Sequence, residues 1–304
     1  MSIKKVLACT LAATAAFAAM SFSSCGKDDG CSTVKMIEIP LSQESYAVAV
    51  NKDDASLLET VNDVLEAKAT EIQALISAYE NKDYDDTDTP IDRSYVENVV
   101  TFENSMASND SYLVMATDAP FAPWEYRVGE HWGGIDVEIG KMIADELDKT
   151  LAIKQTTFSQ IPAAVNNGDA DIGLAGLTIT PARMQTVNFS NPYYTEAYQV
   201  VVVKENDTRF DACVTTEDVE NVLRSLGGGT KVGSQAGTTG AKYIQGDAND
   251  PEGFGFAGYS NLTLKTYTTH ADAVRDMING QVSLCVVDNL VASSIVDNIN
   301  KAAK

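Results

Sequence analysis

The feature that most limits the folds open to this chain is an alternation of short apolar strands with helices from residue 112 to residue 297. Strand-like runs fall at 112–117, 151–156, 172–177 and 198–204, then at 231–234, 262–267 and 282–288. Helical spacing is read between them at 137–147, 161–166, 216–226, 240–245, 270–279 and 289–297. Such alternation predicts an α/β fold with largely parallel sheets, because each crossover helix returns the chain to the same edge. The run 198–204 carries four consecutive valines and separates two βα sets, which predicts two lobes, 111–200 and 201–304, with a cleft between them. A chain of 304 residues with 44% apolar residues can build two such cores.

The stretch before residue 111 is organised differently. Tyr46-Ala-Val-Ala-Val50 reads as a strand, and Leu57, Leu58, Val61, Val64, Leu65, Ile72, Leu75, Ile76 and Tyr79 recur at helical spacing. A long amphipathic helix is therefore expected after the Asp53-Asp54 cap. Residues 81–110 begin with Asn81-Lys-Asp-Tyr-Asp-Asp-Thr-Asp-Thr-Pro90 and read as an acidic linker.

The first 24 residues have the pattern of a signal peptide: Lys4 and Lys5, an Ala- and Leu-rich stretch from Val6 to Met20, then small residues. Phe22-Ser23-Ser24-Cys25 resembles a bacterial lipobox, with Phe22 where Leu is usual, so Cys25 is the expected lipidation site and 25–34 a tether. An ordinary cleaved signal with an incidental Cys is the alternative. A Cys31–Cys213 disulfide is possible in an oxidising compartment. Cys285, inside an apolar run, reads as a small buried hydrophobe. A net charge of −21 argues against nucleic acid as a partner, since phosphate binding needs basic surface.

Open parallel sheets place ligands beyond the carboxyl ends of their strands. Four features fall there. Asp118-Ala-Pro-Phe-Ala-Pro-Trp-Glu125 could present Phe121 and Trp124 as an aromatic wall. In Ala175-Gly-Leu-Thr-Ile-Thr-Pro-Ala-Arg183, Gly176 allows close backbone approach, Thr178 offers a hydroxyl, and Arg183 follows a Pro suited to a helix start. Gln235-Ala-Gly-Thr-Thr-Gly240 offers backbone N–H groups and the Thr238 and Thr239 hydroxyls to a carboxylate. Asp288 ends an apolar strand and could meet an ammonium group. Singly, each has an ordinary rival: a surface Arg, a capping Asp, aromatic rings in a core. Together they describe a receptor for an α-amino-acid zwitterion.

Other signals carry no chemistry. Gly253-Phe-Gly-Phe-Ala-Gly258 lacks the strand–helix context of a dinucleotide site. Gly227-Gly228-Gly229 lacks the Lys-Ser/Thr of a phosphate loop. His131 and His270 lack metal-ligand spacing, and no nucleophile–base set is evident, so neither cofactor, metal nor catalytic residue is expected.

With these residues in view, the chain resembles the amino-acid-binding (family 3) periplasmic solute receptors of ABC importers over about 112–298, most specifically in IGLAGLTITPARMQTVNFSNPYY, 172–194. The resemblance implies a two-lobed periplasmic-binding-protein fold (type II, Venus flytrap). It implies that Arg183, aided by Thr178 and Gly176, grips an α-carboxylate, that Thr238 and Thr239 contact it from the second lobe, that Asp288 holds the α-amino group, and that Phe121 stacks on the side chain. Ala175 and Gly176 stand where some members have serines, Ser283 replaces a frequent Asp, and a stretch one residue short leaves the role of Phe158 open.

Family members continue past the Asp288 region with a strand returning to the first lobe and a closing helix. Residues 35–80 resemble that segment, which implies a circular permutation with the usual termini joined near 80–110. A Gly common in the closing helix is absent around Lys68-Ala69-Thr70. An unrelated N-terminal module is the alternative. The expected hinge runs through strands near 200–204 and 36–41. The expected function is a lipid-anchored extracytoplasmic receptor on a bacterial membrane, delivering a polar L-amino acid (arginine or glutamine first, lysine and histidine behind) to an ABC permease. The alternatives are a cyclohexadienyl- or arogenate-dehydratase-like enzyme and a ligand sensor.

Overall fold

A computed structural model describes residues 33–80, 95–107, 109–248 and 253–303. The signal peptide, Cys25, Cys31 and the acidic core of the linker lie outside the described residues. The chain begins with β1 (Val34–Ile37), β2 (Glu44–Tyr46), β3 (Ala49–Val50), α1 (Ala55–Ala67), α2 (Ala69–Glu80) and β4 (Val99–Thr101). It continues through β5 (Tyr112–Thr117), β6 (Tyr126–Val128), β7 (His131–Gly133), α3 (Ile135–Glu146), β8 (Thr150–Gln155), α4 (Ile161–Asn166), β9 (Ile172–Gly173), α5 (Pro181–Met184), β10 (Asn188–Phe189) and β11 (Tyr194–Ala197). The last part comprises β12 (Gln199–Lys204), α6 (Thr216–Ser225), β13 (Thr230–Gln235), α7 (Thr239–Gln245), β14 (Leu262–Tyr267), α8 (His270–Ile278), β15 (Leu284–Asp288) and α9 (Asn289–Ala302).

The strands build two large sheets, one per lobe. The first has the order β10-β3-β9-β5-β8-β4, with β9, β5, β8 and β4 parallel, β3 antiparallel to β9, and β10 antiparallel to β3. The second has the order β1-β12-β15-β13-β14, with β15, β13 and β14 parallel, β12 antiparallel to β15, and β1 antiparallel to β12. Residues 34–50 thus contribute a strand to each sheet. Ala49 and Val50 sit between Gly173 and Ile172 on one side and Phe189 and Asn188 on the other. Tyr46, Ala47, Val48, Ala49 and Val50 are fully buried. Burying a Val side chain contributes about 1.5–3 kcal/mol, so this segment is an integral part of the first lobe.

Helices start where the sequence offers caps. Asp54 accepts from the Leu57 N–H at the head of α1, Thr215 and Asp218 form a reciprocal capping box on α6, and Thr269 caps α8. The expected helix over 53–79 is two helices, α1 and α2, which part at Lys68 (φ −101°, ψ 6°). No Gly or Pro marks that break. Val61, Val64 and Leu65 from α1 and Ile72 and Ile76 from α2 all enter the first-lobe core.

Other departures are local. Val99–Thr101, inside the stretch read as linker, forms the edge strand β4, where β-branched residues pair with Leu151, Ala152 and Ile153 of β8. Only Ile172–Gly173 of the 172–177 run is a strand, because Gly176 adopts φ +54° and turns the chain. The strands expected to act as the hinge do not themselves cross between the sheets. Residues 34–37 and 201–204 are tied to each other by four register pairs inside the second sheet. The chain crosses between the lobes instead on β2 and β11, a separate antiparallel ribbon in which Tyr46 faces Tyr194 and Glu44 faces Ala197.

Candidate functional site

The carboxyl ends of β5 and β13, the loop after β9, the start of α7 and the end of β15 meet above the β2–β11 ribbon. Arg183 is set by the short helix α5, whose N-cap Thr180 accepts from the Arg183 N–H and whose first residue is Pro181. Its guanidinium donates to the Thr178 carbonyl (Nη1, 2.7 Å) and, across the cleft, to the Gly237 carbonyl (Nη2, 3.2 Å), and lies 4.9 Å from the Phe158 ring centre. Desolvation lowers its pKa to about 10, against the pull of Glu44 and Asp288. The doubtful Phe158 is therefore placed beside the guanidinium.

Asp288 is 4% exposed. Its Oδ1 accepts from Tyr46 Oη (2.6 Å) and Gln199 Nε2 (2.9 Å), and His270 Nε2 lies 3.4 Å from Oδ2. Burial pushes its carboxyl up, but the neighbouring His270 ring, with the hydrogen bonds from Tyr46 and Gln199, outweighs burial and holds it below the usual range. Asp118 accepts from the Phe158 N–H and from Gln155 and Gln235 side chains, the last contact joining the two lobes at 2.9 Å. Burial raises its pKa.

The residues expected at the cleft divide into two groups. Asp118, Phe121, Thr178, Arg183, Gln235, Thr239 and Asp288 come together, and the Phe121 ring rests against His270 at 5.7 Å. Trp124, Gly176 and Thr238 do other work. Trp124, 1% exposed, packs edge-on to Tyr46 (5.1 Å) and against Tyr193 and Tyr194, so it props the crossing ribbon and forms no wall to the cleft. The Gly176 N–H donates to Asp136 Oδ2 (2.7 Å), and a Cβ there would stand 2.8 Å from Phe121 and 3.2 Å from Tyr46. Its small size makes room for those two rings. The Thr238 hydroxyl caps α7, accepting from the Ala241 N–H and donating to the Gln235 carbonyl, so it is already committed.

Sequence reasoning missed the ribbon. Glu44, 2% exposed, accepts at Oε2 from both Thr178 Oγ1 and Thr239 Oγ1, each 2.8 Å away, one from each lobe. Ser42 Oγ donates to Oε1 (2.7 Å). Burial and the Asp288 carboxylate raise the Glu44 pKa, opposed by these three hydroxyls. Gln199 ties Thr239 to Asp288. The signal was present: Glu44 and Tyr46 are two residues apart on a strand and so share a face. Behind the cleft, Asp136 is raised to about 7 by burial, and Glu125, also fully buried, lies well above its ordinary value through burial and the neighbouring Asp136 and Asp118. Among the described residues no group of side chains suits a metal, and no helix is long and apolar enough to cross a membrane.

This geometry offers an anion one guanidinium and a cation several carboxylates, between lobes joined by two crossing strands. Comparison with known proteins shows the family. The family model for bacterial extracellular solute-binding proteins, family 3, matches residues 113–298, and the chain belongs to that family. It is 32% identical to the arginine-binding extracellular protein ArtP of Bacillus subtilis over 33% of this chain and 39% of that one. It is 29% identical to a probable histidine-binding protein of Neisseria gonorrhoeae, over 60% and 61%. The chain thus spans less than two thirds of the length of these curated relatives. Among solved structures, an ancestral arginine-binding protein bound to arginine matches at 30% identity and a TM-score of 0.52, over 64% of this chain and 76% of that one.

Proposed function

We propose that this chain captures a polar L-amino acid outside the cytoplasm and delivers it to an ABC importer, by binding and not by catalysis. The observation that carries the reading is the placement of Arg183 and Thr178 from one lobe opposite Thr239 and Asp288 from the other, around the ribbon about which the lobes would close. Arg183 would exchange its carbonyl partners for the ligand carboxylate in a charge-assisted pair, with Asp288 receiving the α-ammonium and Phe121 the side chain. Asp118 and Gln235 would complete the closed form. Arginine and glutamine are the first candidates. Relatives named for arginine binding support the first, and an ancestral protein solved with glutamine, at 30% identity and a TM-score of 0.50, supports the second.

The same reading places the chain on the outer side of a bacterial membrane, anchored through lipid on Cys25, with permease subunits as partners. It also makes the chain a circular permutant, supported by the part that residues 34–80 take in both sheets and by their position outside the matched range 113–298. Deleting residues 35–80 then unfolds the first lobe, and a folded, ligand-binding remainder would exclude the permutation. The receptor reading is tested by a thermal-shift screen against the twenty amino acids, repeated with Arg183→Ala. One or a few polar amino acids raise the melting temperature of the wild type, and the variant, left with an unpaired buried ligand carboxylate, loses about 3–5 kcal/mol of binding. Equal shifts in both proteins would sink the site.

A further inference from the structure

We propose that the base of the second lobe rests on the bilayer, with the phosphate of an anionic lipid headgroup seated in a groove between Lys204 and Lys231. The proposal rests on the reading that Cys25 carries a lipid anchor, and adds the face of the chain that the anchor turns to the membrane. The groove, about 640 Å³, lies at the end of the second sheet remote from the cleft. Three neighbouring strand ends meet there: Lys204 closes β12, Lys231 follows the first residue of β13, and Ser283 precedes β15. The Ser283 N–H donates to the Lys231 carbonyl (2.8 Å), and β15 separates the two lysine-bearing strands. Two strand spacings put those lysine backbones about 10 Å apart, a span that two flexible Lys side chains can close around one phosphate.

The charge of the groove runs against that of the chain. Lys and Arg number 22 in the sequence and Asp and Glu 43, yet the groove is lined by three cations and a single acid, Asp207. That acid is already neutralised: Arg209 Nε donates to Asp207 Oδ1 (2.9 Å), while Arg209 Nη1 donates to Ser283 Oγ (3.2 Å). Among the described residues Lys204 and Lys231 form no ion pair, so two positive charges stand uncompensated. Asp211 pairs with Lys35 outside the groove, and Glu205 does not line it. The chain enters the fold beside this groove. Val34 pairs with Lys204, and the Thr33 carbonyl accepts from the Glu205 N–H (2.9 Å). Eight peptide units from Cys25 to Thr33 span at most about 29 Å, so an anchor at Cys25 holds this end of the lobe close to the membrane. Confinement of that kind makes a weak headgroup contact effective. Ser283 and Asp288 stand at opposite ends of β15, about 16 Å apart, so the ligand site stays open while the base is occupied.

The full mature chain, purified with its acyl groups and weighed by mass spectrometry, is placed on vesicles of phosphatidylcholine alone or with about one third phosphatidylglycerol. Lysine acetylation is then followed residue by residue. Lys204 and Lys231 are expected to react roughly fivefold more slowly on the anionic vesicles, while Lys52 and Lys149 of the first lobe react equally on both. Ser283→Asp places a second acid between the two lysines and is expected to abolish the difference. Equal rates on both vesicles in the wild type, slowing that extends to Lys52 and Lys149, or a Ser283→Asp protein that keeps the full difference overturns the proposal. Should Ser283→Asp not fold, Lys204→Gln carries the test: it lowers the protection of Lys231 at least about twofold, and unchanged protection overturns the groove. Inorganic phosphate at matched ionic strength that protects both lysines equally well on neutral vesicles shows a small-anion site and overturns the lipid assignment. A Cys25 without acyl mass refutes the anchor reading on which the proposal rests, whereas an acylated chain without protection refutes only the groove.

Discussion

Gly176 concentrates more of the architecture than any neighbouring residue, and Gly176→Ala tests it sharply. The residue sits at φ +54°, a left-handed conformation that costs an L-residue about 1–2 kcal/mol. An added Cβ meets Phe121 Cε1 at 2.8 Å and Tyr46 Cε2 at 3.2 Å. Both rings are buried, Tyr46 completely, and overpacking of this kind costs a further 1–3 kcal/mol or so. The stiffer unfolded chain returns about 0.4–1 kcal/mol. The expected net loss is about 2–4 kcal/mol, a melting temperature lower by roughly 5–10 °C for a protein of this size. Gly168→Ala is the control: that residue also has positive φ (+73°), but no atom stands within 4 Å of its added Cβ. It carries the backbone cost alone, about 1 kcal/mol. Differential scanning calorimetry of both variants decides the matter. Equal losses would show that the Phe121–Gly176–Tyr46 contact adds nothing, and with it would go the explanation for glycine at this position.

Two further outcomes follow from how the site is built. Thr238→Ala removes the α7 cap and should cost about 1 kcal/mol in urea denaturation while ligand affinity stays within about twofold; a large loss of affinity would return the hydroxyl to the ligand. Asp136 keeps its proton in the folded chain up to about pH 7, whereas unfolded it releases it near pH 4. The folded state therefore binds more protons between those values, and stability falls as pH rises through that window. Asp136→Asn retains an acceptor for the Gly176 N–H and removes the titration, so relative to the wild type it should be more stabilising at pH 8 than at pH 5, by up to a few kcal/mol. The buried Glu125 keeps part of the dependence in the variant. The same stability difference at both pH values would contradict the shift.

Strand–helix alternation after residue 112 was legible because each element has its own period, and the structure sets Thr215 and Thr269 at the heads of α6 and α8 as it sets Asp54 at the head of α1. Arg183, Thr178, Thr239 and Asp288 were legible as strand-end residues, since parallel sheets converge there. Thr238 and Thr239 could not be told apart by spacing, because which of two adjacent hydroxyls caps α7 depends on the backbone turn at its start. Trp124 was misplaced for a related reason: a buried aromatic beside a cleft and one facing into it have the same sequence signature. The break at Lys68 has no local mark at all. Glu44 escaped notice because its partners lie 134 and 195 residues away, and only the return of β2 beside β11 brings them within 2.8 Å.

The ribbon also explains why a site of this kind tolerates so much polarity. Glu44, Tyr46 and Gln199 are rooted in strands that belong to the crossing or border it, so their hydrogen bonds to Thr178, Thr239 and Asp288 span the interface between the lobes. Opening the lobes must break some of these bonds, yet it also returns Glu44 and Asp118, whose carboxyl pKa values burial raises, to water, where they ionise without penalty. The two effects oppose each other. A ligand that offers Asp288 a positive charge and Arg183 a negative one meets both groups together only in the closed form. Differential affinity for one state is all that is required to drive closure, and in this chain the groups that would sense the ligand are those that already bridge the lobes.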